Sequence, residues 1–346
     1  VELLVATAIA SVLGMAGVAL FSSSNWMYKR NEDVSEAQQN VRVAMEWLSK
    51  DIRTAGFGLE DTPVGLCFDV GTGDNDGVCG ADDLTFTAPI TVTTSGGTTN
   101  PDSITILGIG YEAGTLLAAV DADACNGNGD SILCLDSAAS ATNFFSGSGP
   151  YTYHLNRRYI TLNGTNFLQL ATAQTEADRL AGKVALATTL DKLYAVGTPV
   201  YIIQAVQYTI NNTAPFLTGC SETNPCLATY DATELRGSGI QLVAESIEDL
   251  QFAYGIDVSP RDGKIDDYNA DGSFTTADFV NDPADDTSIV AVRANVVAKT
   301  GNIDMKGGQF RGPAVEDREA ATSTDGYRRR LLTKIIKLRN SRSGGS

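Results

Sequence analysis

An acidic segment in the last third of the chain has residue types and spacing that suit a divalent cation. Oxygen ligands would come from the first, third, fifth, seventh and twelfth places of a twelve-residue stretch, occupied by Asp267, Asn269, Asp271, Ser273 and Asp278. A glycine at the sixth place allows the sharp turn, and oxygens at this spacing converge on one point that suits calcium. The segment therefore predicts one calcium site, with an acidic surface turn as the alternative.

Other acidic residues lie near glycines without a complete ligand set. The runs at 74–77 and 121–130 are interpreted as turns. Asp257, Asp262 and Asp266 lie just before the calcium segment. Any of these three carboxylates could supply it with an extra ligand.

The six cysteines fall in three close pairs, each within one loop rich in Gly, Asp or Asn. Such proximity favours local bonding, although six cysteines permit other connectivities. The predicted disulfides are Cys67 to Cys79, Cys125 to Cys134 and Cys220 to Cys226. Disulfides indicate an oxidising compartment.

Composition argues against catalysis and against nucleic-acid binding. The chain has 346 residues and a single histidine, His154, and it contains neither G-x-S-x-G nor H-E-x-x-H. We therefore expect no enzymatic activity and no small-molecule substrate. A net charge of -17 argues against binding to nucleic acid.

One basic stretch stands out near the C-terminus. It comprises Arg328, Arg329, Arg330, Lys334, Lys337, Arg339 and Arg342. A DNA-uptake surface is one interpretation. The favoured interpretation is the solvent face of a strand whose cations pair with the acidic loops.

The N-terminus reads as one long helix with two different halves. No charged residue occurs from Leu3 to Phe21, a length that can cross a membrane. Apolar residues then recur at helical spacing on one face, at Val34, Val41, Met45, Leu48 and Ile52. The glycines around residue 57 are expected to end the helix. The first half suits lipid or a helix bundle, and the second suits packing against a head.

The rest of the chain reads as strands between turns. The expected strands are Leu84–Val92, Ser103–Ile109, Tyr151–Leu162, Val200–Ile210, Ile247–Tyr254, Ile289–Val297 and Leu331–Leu338. Several alternate apolar with polar residues, as in a half-buried antiparallel sheet. The predicted fold class is α+β, with the long helix packed on antiparallel sheet and long disulfide-closed loops. Residues 341–346 read as a disordered tail.

Four segments carry a resemblance to a known family. The start, Val1-Glu2-Leu3-Leu4-Val5-Ala6, resembles the mature N-terminus of type IV pilins and pseudopilins. The segments 38–58, 244–257 and 327–340 resemble the minor pilin family PilW and, more distantly, the J-type pseudopilin of type II secretion. The four segments cover about a quarter of the chain.

The resemblance gives Glu2 an expected role. In such pilins a near-terminal glutamate pairs with the N-terminal amine of a neighbouring subunit when the helix enters the filament. These pilins usually carry a phenylalanine and two more residues before Val-Glu, so we expect mature residues ahead of Val1. Cleavage directly before Val1 is the alternative and would put that role in doubt. Without the resemblance, Glu2 reads as an interfacial residue at the positive end of the helix dipole.

The resemblance also implies an organisation and a location. Residues 1–24 would form the transmembrane and filament-core half of the helix, 25–56 its amphipathic half, and 57–340 a periplasmic or extracellular β-rich head. The protein would sit in the bacterial inner membrane and then in a pilus on the cell surface. Its partners would be other minor pilins, the major pilin and a large pilus-tip protein.

Several functions remain open at this point. The favoured hypothesis is a minor pilin that initiates or caps pilus assembly, with a calcium-binding head. A second hypothesis is a minor pseudopilin of a type II secretion system, which would need the same kind of N-terminal helix. A calcium-dependent pilus-tip adhesin is a third hypothesis, and a membrane-anchored periplasmic enzyme is a fourth that lacks catalytic motifs.

Overall fold

The computed structural model describes most of the chain. The described residues are 1–57, 66–68, 84–86, 88–93, 100–117, 125–145, 157–164, 166–171, 175–213, 217–233, 240–258, 261–268, 270–271, 275–304 and 307–339. The predicted calcium ligands Asn269 and Ser273 lie outside these residues, as do Cys79, His154 and the predicted tail at 341–346.

Helix α1 dominates the fold. It spans Glu2–Thr54, and Gly56 follows it with φ +72°, the left-handed conformation expected where glycine ends a helix. Eight residues of its second half are buried, and the apolar ones are Ala37, Val41, Ala44, Met45, Leu48 and Ile52. The predicted apolar stripe is therefore the docking face. Val34, at its N-terminal end, is only half-buried.

The described residues contain two further short helices and fifteen strands. The helices are α2 (Ala138–Thr142) and α3 (Glu176–Leu180). The strands are β1 (Leu66–Phe68), β2 (Leu84–Phe86), β3 (Ile90–Thr93), β4 (Ser103–Thr115), β5 (Ile132–Cys134), β6 (Tyr159–Leu162), β7 (Asn166–Gln169), β8 (Lys183–Ala185), β9 (Pro199–Asn211), β10 (Cys226–Asp231), β11 (Ile240–Ala244), β12 (Ile247–Ile256), β13 (Phe279–Val280), β14 (Ile289–Lys299) and β15 (Arg329–Lys337).

Two antiparallel sheets form the head. The larger has the order β11-β10-β9-β4-β3, with β6 also paired to β9 and β7 paired to β6. The second has the order β13-β12-β14-β15. Two small ribbons, β1-β2 and β5-β8, complete the described pairings. The predicted α+β class, a long helix on antiparallel sheet, is confirmed.

Two large apolar cores and one smaller cluster share the long strands β4 and β9. The smaller cluster joins Leu107 and Ile203 of these strands to Phe68 of β1 and Tyr159 of β6. The helix-packed core joins the second half of α1 to both large sheets, with Leu48, Tyr208 and Phe252 among its fully buried side chains. The second lobe, defined here as α2, α3, β5 to β8 and the adjoining ends of β4 and β9, has its own core around Phe144 and Leu133. These two cores thus contain residues from opposite ends of β4 and β9.

Three predicted strands differ from those observed. The strand predicted at Ser103–Ile109 continues to Thr115 as β4. The stretch predicted as one strand, Leu84–Val92, forms β2 and β3, which pair with different strands, β1 and β4. In place of a strand from Tyr151, the described strand is β6, which begins at Tyr159, and residues 151–156 lie outside the described part. Alternation within a segment reports which residues face the core, but it does not report a change of pairing partner.

Candidate functional site

The first half of α1 is an uncovered apolar helix. An 18-residue window of this helix is apolar enough to cross a membrane, and none of it is buried in the structure. Within its uncharged run, the hydroxyls of Thr7 and Ser11 bond to carbonyls of the helix itself, as Ser11 Oγ donates to the carbonyl of Thr7 at 2.7 Å. These polar groups therefore need no water, which is the requirement for a helix in hydrocarbon.

Glu2 is the first residue of this helix. It lies at the exposed N-terminal end, where the free backbone N–H groups favour a negative charge. The structure therefore places the predicted assembly glutamate at the tip of the uncovered segment. Its pairing with another subunit stays a prediction.

A buried polar pair holds the second half of α1 on the head. The Tyr208 hydroxyl donates to Asp51 Oδ2 at 2.6 Å, and Asp51 is 4% exposed inside the helix-packed core. A charged acceptor strengthens such a bond, and either partner left alone would be costly to bury. Sequence reasoning missed this pair. Its only signal is an aspartate on the apolar face of the helix, between Leu48 and Ile52.

The end of α1 is tied to strand β4. The N–H of Gly56 donates to the carbonyl of Leu107 at 2.8 Å. A Cβ at position 108 would lie 3.0 Å from the carbonyl oxygen of Thr54, so Gly108 permits this close approach. Backbone contacts therefore attach the end of the helix to β4.

Between α1 and the loop after β14 lies an open cleft of about 570 Å³. Its walls include Trp26, Lys29 and Arg30 from the helix and Asp304 and Arg328 from the head. Asn302 donates to Asp33 Oδ1 at 2.9 Å across it. Amphipathic periodicity did not predict this contact, because polar residues form it.

The predicted calcium segment is partly described. Asp267 Oδ1 accepts the N–H of Asp271 at 3.1 Å, which holds the first and fifth places on one turn. Asp278 is fully buried, and its Oδ2 accepts the N–H of Thr275 at 2.5 Å as part of a capping box on the 3₁₀ turn Thr276–Asp278. The twelfth-place carboxylate therefore also orders the end of the segment.

Within the part of the chain that the structure describes, no three His, Cys, Asp or Glu side chains are gathered into a metal-holding group. Two of the five predicted ligands, Asn269 and Ser273, lie outside that part. Calcium binding therefore stays a prediction.

Two of the three predicted disulfides are present. Cys125 is bonded to Cys134 and Cys220 to Cys226, each with a Cα–Cα distance of 5.7 Å. The pairing of Cys67 with Cys79 lies outside the described residues. The first bond closes a loop of the second lobe, beside Asn126, whose amide nitrogen donates to the carbonyl of Cys134 at 2.9 Å.

The basic stretch divides into paired and exposed cations. Arg328 bonds to Asp304 at 2.7 Å, and Arg329 bonds both to Glu248 and to Asp325, the latter at 2.5 Å. The bond from Arg329 lowers the pKa of Asp325, and the two carboxylates raise the pKa of Arg329. Arg330, Lys337 and Arg339 are exposed. The expected pairing with acidic residues is therefore present for the first part of the stretch.

Comparison with known proteins yields one match. The family model described as PilW, Type IV Pilus-assembly protein W, matches residues 202–340. No curated protein and no solved structure matches the chain. The matched region runs from within β9 through β15, and it supplies most of the sheet surface on which α1 docks. Over residues 202–340 the chain is therefore similar to the PilW family of type IV pilus-assembly proteins, and its long, uncovered N-terminal helix agrees with a pilin-like protein.

Proposed function

We propose that this protein is a structural minor pilin that initiates or caps type IV pilus assembly. A role in type IV pilus assembly is what the family implies. The single observation that supports the proposed structural role is the division of α1 into an uncovered apolar half and a half docked on the head. Such a helix can move from lipid into a filament core without exposing its apolar surface to water.

The head then faces away from the membrane. Its disulfides suit an oxidising compartment outside the inner membrane. The matched family, a type IV pilus-assembly protein, favours a pilus over a type II secretion system. A structural role also agrees with the absence of catalytic motifs from the sequence. We propose other minor pilins, the major pilin and a large tip protein as its partners.

Glu2 provides the test of assembly. An ionised carboxylate costs several kcal/mol to bury in a filament core unless a cation pairs with it. We expect Glu2→Gln to reduce surface pili strongly, since it removes the charge and keeps the size of the side chain. The matched control is Glu46→Gln, which removes an exposed glutamate from the docked half of the same helix.

Pili are counted by electron microscopy, and co-purification of other pilins is measured from membranes. Unchanged pili and unchanged co-purification in Glu2→Gln would show that the glutamate has no assembly role. An equal loss of pili in Glu46→Gln would show that the effect is not specific to the helix tip.

We further propose that the head binds one calcium ion at the segment Asp267–Asp278. The turn joining the Asp267 carboxylate to the Asp271 backbone supports this proposal, because it holds the first-place and fifth-place aspartates, both exposed, on one turn. Left without a cation, these charges repel one another. Calcium at one hundred times its dissociation constant would stabilise the fold by about 2.7 kcal/mol.

The experiment is a calcium titration and thermal melt of the full chain in detergent micelles, with and without chelator. Wild type should bind calcium and melt at a higher temperature with it, and Asp271→Ala should lose both effects. Magnesium should stabilise much less, because it demands tighter octahedral geometry. If wild type showed no heat of binding and no effect of chelator, the segment would be an acidic turn and not a calcium site.

A further inference from the structure

Two cations of α1 line the cleft between the helix and the head. Lys29 and Arg30 are both exposed there, and neither forms an ion pair with any residue that the structure describes. On the opposite wall, Arg328 and Asp304 bond to each other at 2.7 Å, so the head's cation already has a carboxylate partner. The helix wall is therefore where the cleft can hold the negative charge of a ligand.

This wall begins just beyond the apolar half of α1. Lys29 is the first charged residue after Glu2. At the helical rise, Trp26 lies about 7.5 Å and Lys29 about 12 Å beyond Phe21, where the apolar run ends. The polar headgroup layer on each side of the hydrocarbon is roughly 5–8 Å thick, and tryptophan favours this layer. With the apolar run in a membrane, Trp26 therefore lies at the level of the lipid headgroups.

The two cations can reach back to the same level. Long side chains on a helix point towards its N-terminus, which here is towards the membrane. Arg30 adopts this direction, since its Cζ lies 5.3 Å from the centre of the Trp26 ring one turn earlier. Lys29 has a flexible stem that allows the same reach. Both cations can therefore meet the phosphates of a lipid surface.

Carboxylates follow the cations along the same wall. Glu32, Asp33 and Glu36 also line the cleft, and Asp33 accepts a hydrogen bond from Asn302. Glu32 lies about 4.5 Å beyond Lys29 along the helix axis, and Glu36 lies one turn further. Both glutamates are exposed. Moving away from the membrane, the helix thus presents apolar residues, then cations, then carboxylates. A zwitterionic phospholipid has the complementary order of acyl chains, phosphate and ammonium.

We propose that this cleft binds the headgroup of a phospholipid with a primary ammonium, such as phosphatidylethanolamine. Lys29 and Arg30 hold the phosphate, and Glu32 and Glu36 hold the ammonium through charge-assisted hydrogen bonds. A headgroup without an ammonium would leave the carboxylates unmatched, and a methylated ammonium cannot donate to them. The inference rests on the membrane helix of the proposed function, and it adds the lipid class that the cleft selects.

The test measures which lipids lie next to Trp26. Trp26 and Trp47 are the two tryptophans of the chain, so Trp47→Phe leaves Trp26 as the single indole. The full chain carrying Trp47→Phe is placed in phosphatidylcholine vesicles that contain a small fraction of lipid brominated on its acyl chains. The brominated lipid is either phosphatidylethanolamine or phosphatidylcholine, and bromine quenches the fluorescence of a neighbouring indole. We expect phosphatidylethanolamine to be preferred about threefold, the size of effect that one exposed ion pair produces.

Two double variants in the same background test the two charge pairs. Lys29→Gln with Arg30→Gln removes the cations, and Glu32→Gln with Glu36→Gln removes the carboxylates. Each should abolish the preference, and because all four residues are exposed the fold should be kept. The matched control, Lys50→Gln, removes an exposed cation from the docked half of the helix and should keep the preference. A preference retained in either double variant would overturn the inference.

Inorganic phosphate distinguishes a lipid site from a site for free phosphate. Millimolar phosphate should leave the preference unchanged, and its loss would overturn the lipid assignment. Equal quenching by the two brominated lipids would overturn the headgroup inference and leave the membrane helix in place. The absence of quenching by either lipid would place Trp26 away from the bilayer and contradict the membrane helix itself. The assembly role is tested separately, by counting pili in Glu2→Gln.

Discussion

The helix-packed core and the second lobe are assembled from different parts of the chain. The helix-packed core joins α1 from the N-terminus to β15 from the C-terminus, with Leu48 and Ile336 in one apolar cluster. The second lobe is built from residues 113–202 alone and is closed by the disulfide Cys125–Cys134. The family match begins at residue 202, where the second lobe ends. The surface that docks α1 and the second lobe are therefore separable units, joined by β4 and β9.

This difference matters for assembly. The proposed role in pilus assembly needs α1 held on the head, whereas a locally closed lobe can change without moving that helix. The first three predictions below test the separation, the fourth tests the bond between Tyr208 and Asp51, and the fifth tests the electrostatics of the helix-packed side.

The largest effect is expected from Leu48→Ala. Leu48 is fully buried between α1 and the sheets, and removing its side chain should lower the free energy of unfolding by about 2–5 kcal/mol. The neighbouring Trp47 is 44% exposed, so Trp47→Ala should cost much less. Chemical denaturation measures both losses.

The same truncation in the second lobe sharpens the comparison. Leu133→Ala removes a side chain that is 1% exposed in the lobe core. Hydrogen exchange should quicken in the lobe and stay slow in α1. Equal loosening of α1 in Leu133→Ala would show that the two cores unfold as one unit.

The next effect is loss of the lobe disulfide. Replacing both Cys125 and Cys134 by serine reopens a short loop, which in the chain-entropy model costs about 3 kcal/mol. Faster hydrogen exchange should be confined to the second lobe, and the number of pili should not change. The comparison variant replaces Cys220 and Cys226, which adjoin β10 of the large sheet. Loss of pili in the first variant would contradict the separation.

A smaller effect is expected from Tyr208→Phe. It removes the donor to Asp51 and leaves a buried carboxylate with one bond fewer, at a cost of about 1–3 kcal/mol. Tyr111→Phe, at a tyrosine that is 47% exposed, serves as the control and should be nearly neutral. Urea melts compare the two variants. Equal stability of Tyr208→Phe and wild type would show that the pair does not hold the helix.

The smallest effect concerns acid stability at Asp325. The bond from Arg329 lowers the pKa of Asp325 in the folded protein. Its stabilisation is therefore complete above the unfolded value of about 3.9 and is lost as the pH falls through the lower folded value. The side chain of Asp325 is 41% exposed, so solvent screens the pair and the effect is small.

Asp325→Asn should accordingly make stability less dependent on pH below the pKa of an unfolded aspartate. Above that pKa, the dependence of stability on pH should be the same as in wild type. Melting temperatures measured from pH 7 downwards test this expectation. An unchanged slope in the variant would show that the pair does not contribute to acid unfolding.

Local pattern alone predicted much of this protein. The uncharged run from Leu3 to Phe21 predicted the uncovered half of the helix, and the apolar stripe from Val41 to Ile52 predicted its docking face. Both could be predicted because helical periodicity depends only on near neighbours. Strand alternation located β9, β12, β14 and β15 within a few residues of their observed bounds. Short sequence separation also sufficed for the disulfides Cys125–Cys134 and Cys220–Cys226.

The tertiary structure alone decided which distant residues meet. The bond from Tyr208 to Asp51 and the division of Leu84–Val92 between two sheets depend on packing between segments far apart in sequence. Residue type and periodicity specify a face to be buried. They do not specify the partner it is buried against, because many pairings bury similar apolar area and only packing and hydrogen bonding distinguish them.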